Sequence, residues 1–261
     1  MKENLRVAII QSELIWENPA ENRKLFDEKI NRVKKEVDLI VLPEMFSTGF
    51  SMHVETLAES TEGESFGCLK KWAKQKQACV TGSLMVKENG KYYNRLYFVF
   101  PDGTYKTYNK RHLFSLAKEE QIYTAGKEKL IVTYKDWKIC PLICYDLRFP
   151  VFARNTEDYD LLILVANWPE KRISAWDALL KARAIENMCY TVGVNRVGED
   201  GKGFEHAGHS AIFNGLGEQI SNPFHHHTNF TEVIALEAQH LTEIRHQFGF
   251  LKDRDGFKLN H

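Results

Sequence analysis

The sequence predicts a single α/β domain built on mixed β-sheets, and three observations carry that reading. Both halves of the chain open as strand, helix, strand; the apolar runs are short and rich in β-branched residues; and the dipeptides Asn89-Gly90 and Asp102-Gly103 mark hairpins. No linker, internal repeat or low-complexity tract divides the 261 residues, 43% of which are hydrophobic, so one large domain with a sizeable core is expected.

Taken in order, residues 6–11 read as a strand, and residues 19–36 as an amphipathic helix with Leu25, Phe26, Ile30 and Val33 at helical spacing. The run 38–44 is apolar up to Pro43 and Glu44, as in a strand buried on both faces, and it closes the first strand–helix–strand unit. A loop through 46–50 leads to a second helix over 64–77, with Phe66, Leu69, Trp72 and Ala73 as its apolar stripe. Strands over 78–86, 95–100 and 104–108, separated by the two hairpin dipeptides, form an antiparallel meander. Further strands fall at 130–134, 137–143 and 160–167. A helix follows Ser174, whose spacing to Asp177 reads as a capping box, and Trp176, Leu179, Leu180, Ala184 and Met188 supply its apolar face. Strands at 190–197, 209–213 and 232–236 complete the pattern.

Charge and length exclude several classes. Lys plus Arg and Asp plus Glu each number 35, and the pI is about 7.1, so the chain has no basic footprint for nucleic acid or an anionic membrane. The longest apolar run, Leu161-Leu162-Ile163-Leu164-Val165-Ala166, is six residues, against the roughly 20 of a membrane-spanning helix. The apolar stretch Val7-Ala8-Ile9-Ile10 is too short for a secretory signal, which makes the cytoplasm the expected compartment. Five cysteines without a C-x-x-C pair indicate neither a disulfide framework nor a zinc ribbon.

Chemistry concentrates at strand ends. Cys144 closes the run Ile139-Cys140-Pro141-Leu142-Ile143 and is followed at once by Tyr145-Asp146-Leu147-Arg148-Phe149-Pro150. A strand-to-turn junction raises a nucleophile to the open edge of a sheet and frees the next backbone N–H for an oxyanion. The plain alternative is a small buried hydrophobe, which the polar run after Cys144 disfavours. A thiol needs a base or a cation beside it, and Glu44, Lys110 and any of ten histidines qualify by type. By position on the same rim, Arg148, Asn167 and Trp168 are candidate substrate contacts, with Phe46 as apolar wall near Glu44.

Three blocks, Pro43-Glu44-Met45-Phe46, Tyr108-Asn109-Lys110-Arg111-His112-Leu113-Phe114 and Ile143-Cys144-Tyr145-Asp146-Leu147-Arg148-Phe149-Pro150, resemble in order the catalytic blocks of the nitrilase superfamily of carbon–nitrogen hydrolases. The similarity runs from Val7 to the C-terminal helix. Ala166-Asn167-Trp168-Pro169, Ala182-Arg183-Ala184-Ile185-Glu186-Asn187 and Asn195-Arg196-Val197-Gly198 most resemble its bacterial omega-amidase branch, which hydrolyses the terminal amide of 2-oxo acids such as 2-oxoglutaramate and 2-oxosuccinamate.

The resemblance implies a four-layer αββα sandwich, a carbon–nitrogen hydrolase domain over 1–261 with its core at about 5–240 and a C-terminal extension at about 240–261, and a homodimer paired through its helix layers. It implies Glu44 as general base, Cys144 as nucleophile, and Lys110 with the backbone N–H of Tyr145 as oxyanion donors. A second glutamate is expected shortly after the lysine; Glu119 fits the pattern better than Glu120. A carboxylate in a dry pocket is a better proton acceptor near neutral pH than one in water, which suits the role given to Glu44. Cofactors are not expected: His206, His209 and His225 to His227 lack the acid and thiol patterning of a metal site, and the superfamily uses no metal. Val151, after Phe149-Pro150, stands where many members carry an acid. The implied partner is a small-molecule amide, neither nucleic acid nor membrane. Rival readings are another branch of the superfamily (nitrilase, carbamoylase or aliphatic amidase), a regulatory binding protein on the same fold, and a papain-like Cys/His hydrolase.

Overall fold

Strand alternation sorts the apolar residues of the N-terminal half into two separate cores. In the computed structural model, which describes residues 2–33 and 36–259, the first strand turns Val7 and Ile9 to one side and Ala8 and Ile10 to the other. The second strand repeats this with Leu39 and Val41 against Ile40 and Leu42, so both faces of this sheet are covered.

The chain runs β1 (Leu5–Gln11), α1 (Pro19–Arg32), β2 (Leu39–Val41), α2 (Val54–Leu57), β3 (Glu59–Ser60), α3 (Glu64–Lys76), β4 (Cys79–Glu88), β5 (Lys91–Val99) and β6 (Tyr105–Asn109). It continues through β7 (Val132–Tyr134), β8 (Trp137–Ile143), α4 (Pro150–Ala153), β9 (Leu161–Val165), α5 (Ile173–Asn187) and β10 (Tyr190–Val194). The last elements are β11 (Val197–Glu199), β12 (Glu205–Ala207), β13 (Ala211–Phe213), β14 (Phe230–Leu236) and α6 (Ala238–Phe248).

Two sheets result. One has the order β14-β1-β2-β4-β5-β6, with β3 beside β4; the other has the order β13-β10-β9-β8-β7. Each has a parallel centre, β1-β2-β4 and β8-β9-β10, flanked by antiparallel strands. Their facing sides share one core, which joins Val7, Ile9, Leu96 and Phe98 to Ile139, Ile143, Leu161 and Ile163. Outside the first sheet, Phe26 and Ile30 of α1 and Phe66, Leu69 and Trp72 of α3 cover Ala8, Ile40 and Val80. Trp176, Leu180 and Ala184 of α5 and Leu241 and Ile244 of α6 belong to the core of the second sheet. The architecture is the expected α/β sandwich, with helices outside two facing sheets in a single domain.

Most expected elements are present, and the departures have local causes. Strand β5 begins at Lys91, four residues earlier than the periodicity places it, because Asn89 and Gly90 take φ values of 50° and 74° and pair Glu88 directly with Lys91. The helix expected over 19–36 ends at Arg32, with Val33 as its C-cap; the part of that expectation at 34–35 lies outside the described residues, as do Met1, Asn260 and His261 of the domain span. The capping box at Ser174 does not form: a 3-10 turn over Glu170–Arg172 leads straight into α5 at Ile173, and Asp177 accepts from His209 Nδ1 at 3.0 Å. The hairpin of β11 and β12 gives no periodic signal, since it is short and charged.

Phe46 is not a pocket wall. Met45 has φ 43°, and this left-handed residue swings Phe46 into the outer core, fully buried, edge-on to Phe26 at 5.4 Å and tilted against Trp72 at 5.9 Å. Phe46→Ala should therefore lower folding stability by about 3–5 kcal/mol, read as a shifted denaturation midpoint. A cost under about 1 kcal/mol would contradict this packing role.

Candidate active site

Five polar side chains meet where strands end. Glu44 lies three residues beyond β2, Lys110 directly after β6, Cys144 directly after β8 and Asn167 two residues past β9, while Asn94 sits within β5. Carboxyl ends of parallel strands form such a rim because each chain must leave the sheet there.

Local backbone geometry aims these groups. After Glu44 the chain turns on Met45, whose N–H donates to Ser83 Oγ at 2.8 Å and whose carbonyl accepts from Thr48 and Gly49. Cys144 has φ 44° and opens the 3-10 turn Cys144–Arg148, a strained conformation for a residue with a Cβ. Asp146, fully buried, holds that turn: it accepts from Ile143 N (3.0 Å), Tyr108 Oη (2.7 Å), His112 N (3.0 Å) and His112 Nδ1 (2.8 Å). One carboxylate thus ties the cysteine elbow to the segment that carries Lys110. Gly126 passes so close to this segment that a Cβ there would stand 2.1 Å from the Asn109 carbonyl oxygen.

Lys110 Nζ donates to Glu44 Oε1 at 3.0 Å and to Glu119 Oε1 and Oε2 at 3.1 and 3.0 Å, with all three side chains buried. Glu44 also accepts from Asn94 Nδ2 and from the backbone N–H of Asn167, each at 2.8 Å. Glu119 accepts from Phe114 N at 2.6 Å. Glu120 is exposed, so the buried acid beside the lysine is Glu119.

These contacts set the charge states. Burial lowers the pKa of the Lys110 ammonium, but the carboxylates of Glu119 and Glu44 outweigh it and raise it. Burial raises the carboxyl of Glu119, and Lys110 opposes the shift. The Cys144 thiol is pushed well above its ordinary value, first by burial and then by the negative charge of Glu44, so it rests neutral and needs a base to ionise.

A cavity of about 310 Å³ opens over Cys144, Glu44 and Lys110 and is lined further by Tyr145, Asn167 and Trp168. Arg148 also lines it, its guanidinium 4.9 Å from the centroid of the Trp168 ring. The cavity therefore gathers every expected site residue except Phe46, whose place as aromatic wall is taken by Phe50, 5.0 Å from Lys110 Nζ, and Glu119, which stands behind the lysine. Among the described residues no group of three His, Cys, Asp or Glu side chains is placed to hold a metal ion. His209 stacks on His226 at 3.5 Å and His225 on Phe230 at 4.3 Å.

Sequence reasoning missed Asn94, Asp146 and Arg172, and the wall supplied by the β11–β12 hairpin through Asp200, Phe204 and His206. Asn94 had a signal: it shares the inter-sheet face of β5 with Leu96 and Phe98, where a lone amide is out of place. Arg172 and the hairpin had none, because only the tertiary fold brings them over Cys144.

Residues 6–243 match the family model described as carbon–nitrogen hydrolase. The chain is 41% identical to an omega-amidase, YafV, of Yersinia enterocolitica over 98% of each chain. It is 34% identical to a 2-oxoglutaramate amidase of Bacillus subtilis over 82% of this chain and 85% of that one. Among solved structures it matches XC1258 of Xanthomonas campestris, a CN-hydrolase superfamily protein with an arsenic adduct in its active site, with a TM-score of 0.96 and 38% identity over 98% of this chain and 99% of that one.

His206, buried in the cavity wall with Nδ1 3.2 Å from the Gly198 carbonyl oxygen, is pushed down to about 4 by burial and by Arg196. Between pH 6.5 and 4 the unfolded chain therefore binds more protons at this position, and stability falls as pH drops through that window, by about 3 kcal/mol in all. Denaturation midpoints across the window should be less pH-sensitive in His206→Gln than in wild type, and identical slopes would remove His206 as a cause.

Proposed function

The chain belongs to the carbon–nitrogen hydrolase family, and from that membership and the cavity's chemistry we propose that it is an omega-amidase. It hydrolyses the terminal amide of a 2-oxo dicarboxylic acid monoamide, such as 2-oxoglutaramate or 2-oxosuccinamate, to the 2-oxo acid and ammonia. One observation carries the mechanism: a neutral Cys144 thiol shares a buried site with Glu44 and with an ammonium fixed between two carboxylates. The full-length likeness to omega-amidases supports the substrate class.

In this reading Glu44 takes the thiol proton as Cys144 Sγ attacks the amide carbon, and the carbonyl π pair moves to oxygen. Lys110 Nζ and the Tyr145 backbone N–H stabilise that oxyanion; losing one oxyanion donor costs about 2.7–4 kcal/mol in a serine protease, whose acyl transfer passes through a like intermediate. Glu44 then gives its proton to the departing nitrogen, the C–N bond breaks, and ammonia leaves a thioester on Cys144. Water, deprotonated by Glu44, attacks the thioester, and the released thiolate recovers the proton. Glu119 keeps Lys110 charged and in place. Arg148, held over Trp168, pairs with the substrate carboxylate.

The protein acts as a homodimer paired through the α5 and α6 layer, a reading supported by Phe248 and Phe250, exposed at the end of α6. Five free thiols support a reducing compartment, the cytoplasm, and among the described residues no helix is long and apolar enough to cross a membrane.

Ammonia release from 2-oxoglutaramate by the purified protein, with a metal chelator present, tests the function. Turnover should persist with chelator and vanish in Cys144→Ala, and Glu44→Gln should cut alkylation of Cys144 at pH 7 at least about tenfold. Absent turnover with readily alkylated Cys144 would redirect the search to nitriles, carbamoyl amines and simple amides; unchanged alkylation in Glu44→Gln would sink the assignment of the base. A monomeric mass by light scattering at micromolar concentration would end the dimer reading.

A further inference from the structure

The mouth of the cavity holds two arginines without counter-ions among the described residues. Arg148 and Arg172 both line it and both are half-buried, yet among the described residues neither guanidinium has a hydrogen-bond or ion-pair partner in the protein. Each rests on an aromatic ring instead, Arg148 on Trp168 at 4.9 Å and Arg172 on Phe114 at 5.0 Å. Besides Glu44, the carboxylate in the lining is Asp200, and its Oδ1 is occupied by the amides of Lys202 (2.9 Å) and Phe204 (3.0 Å) within the hairpin turn.

Two like charges held close and partly out of water repel each other and lose hydration. Burial and the charge of Arg148 both lower the pKa of Arg172, while the negative thiolate form of Cys144 would raise it, so the guanidinium also lies within electrostatic reach of the reacting sulfur. A side chain kept in such a place without a protein partner is suited to a partner that arrives with the ligand.

We propose that Arg172 is a specificity-determining residue that, with Arg148, clamps the 2-oxo-carboxylate end of the substrate between two guanidinium forks. The proposal rests on the omega-amidase reading and extends it from one arginine to two. A 2-oxo-carboxylate presents three acceptor oxygens in or near one plane, more than a single fork can satisfy, whereas two forks cover both carboxylate oxygens and the ketone.

The scaffold holds the pair at a set distance from the chemistry. The Trp168 ring that carries Arg148 donates its indole N–H to the Arg172 carbonyl oxygen at 2.8 Å. Phe114, which carries Arg172, packs edge-on against Tyr145 at 5.0 Å and donates its backbone N–H to Glu119, the partner of Lys110. The clamp and the oxyanion site are thus built from the same few residues, which fixes the spacing between the anionic head and the scissile amide.

The test compares kcat/KM for 2-oxoglutaramate, glutaramate and pentanamide in wild type, Arg172→Gln and Arg172→Lys, with iodoacetamide alkylation of Cys144 as a control on the site's integrity. Arg172→Gln should lose about 30-fold on 2-oxoglutaramate, mainly in KM, lose less on glutaramate, and stay within about twofold on pentanamide and in alkylation. Arg172→Lys, which keeps the charge but not the fork, should recover part of the loss. Equal losses on all three amides, or none on 2-oxoglutaramate, would overturn the clamp. Calorimetric binding of 2-oxoglutarate to Cys144→Ala separates the two readings when wild type turns over no anionic amide: affinity at least about tenfold weaker in the Cys144→Ala/Arg172→Gln protein keeps the clamp and drops the omega-amidase, and equal affinity drops the clamp.

Discussion

The buried ion triad of Lys110 with Glu44 and Glu119 is the constraint around which the rest of the site is arranged. Three charges removed from water are costly unless each is paired and hydrogen-bonded, and here every one is. Lys110 reaches both carboxylates, Asn94 and the Asn167 amide complete Glu44, and the Phe114 amide completes Glu119. Those partners come from β5, from the segment after β9 and from the loop that follows Lys110, so both sheets must face each other in one register for the triad to exist. Removing Lys110 would leave two buried carboxylates without a cation, which couples folding of this rim to its chemistry.

That coupling explains the positions of residues that take no direct part. Asp146 collects four donors, two from His112 and one each from Tyr108 and Ile143. Its effect is to fasten the strained residue Cys144 to the segment of Lys110, two groups that belong to different sheets. Arg183 adds a second brace, donating to the Leu147 carbonyl oxygen at the far end of the same turn while paired with Glu186 at 2.9 Å. Strain at φ 44° persists only where neighbouring bonds overdetermine it, and here the turn is pinned at both ends.

The sequence was legible wherever chemistry coincides with the end of an apolar run. Glu44 and Cys144 stand at such ends, and the apolar/polar switch beside each needs no tertiary knowledge to read; Lys110 follows the polar strand Tyr105–Asn109 and is legible only through the resemblance of its block. Glu119 and Glu120 are adjacent acids in a loop with no periodicity, so the residues alone do not separate them; burial in the folded chain does. Phe46 misleads because nearness in sequence to Glu44 suggests nearness in space, whereas one left-handed residue, Met45, sends the ring through to the opposite face of the sheet. Arg172 was hidden for the opposite reason: it lies 28 positions from Cys144 and comes into range only when the segment after β9 folds back over the cysteine turn.

Charge is also segregated along the cavity. At the inner end one ammonium faces two carboxylates, while at the mouth two guanidiniums lack protein counter-charge among the described residues. An elongated molecule with an anion at one end and a neutral amide at the other meets a field that admits it in one orientation only, amide first. The reverse orientation would set its carboxylate beside Glu44 and leave the guanidiniums unpaired, losing at both ends. Direction of entry is thus decided by electrostatics before any fit of shape, and the neutral resting state of Cys144 adds no negative charge to the inner end until the amide is in place.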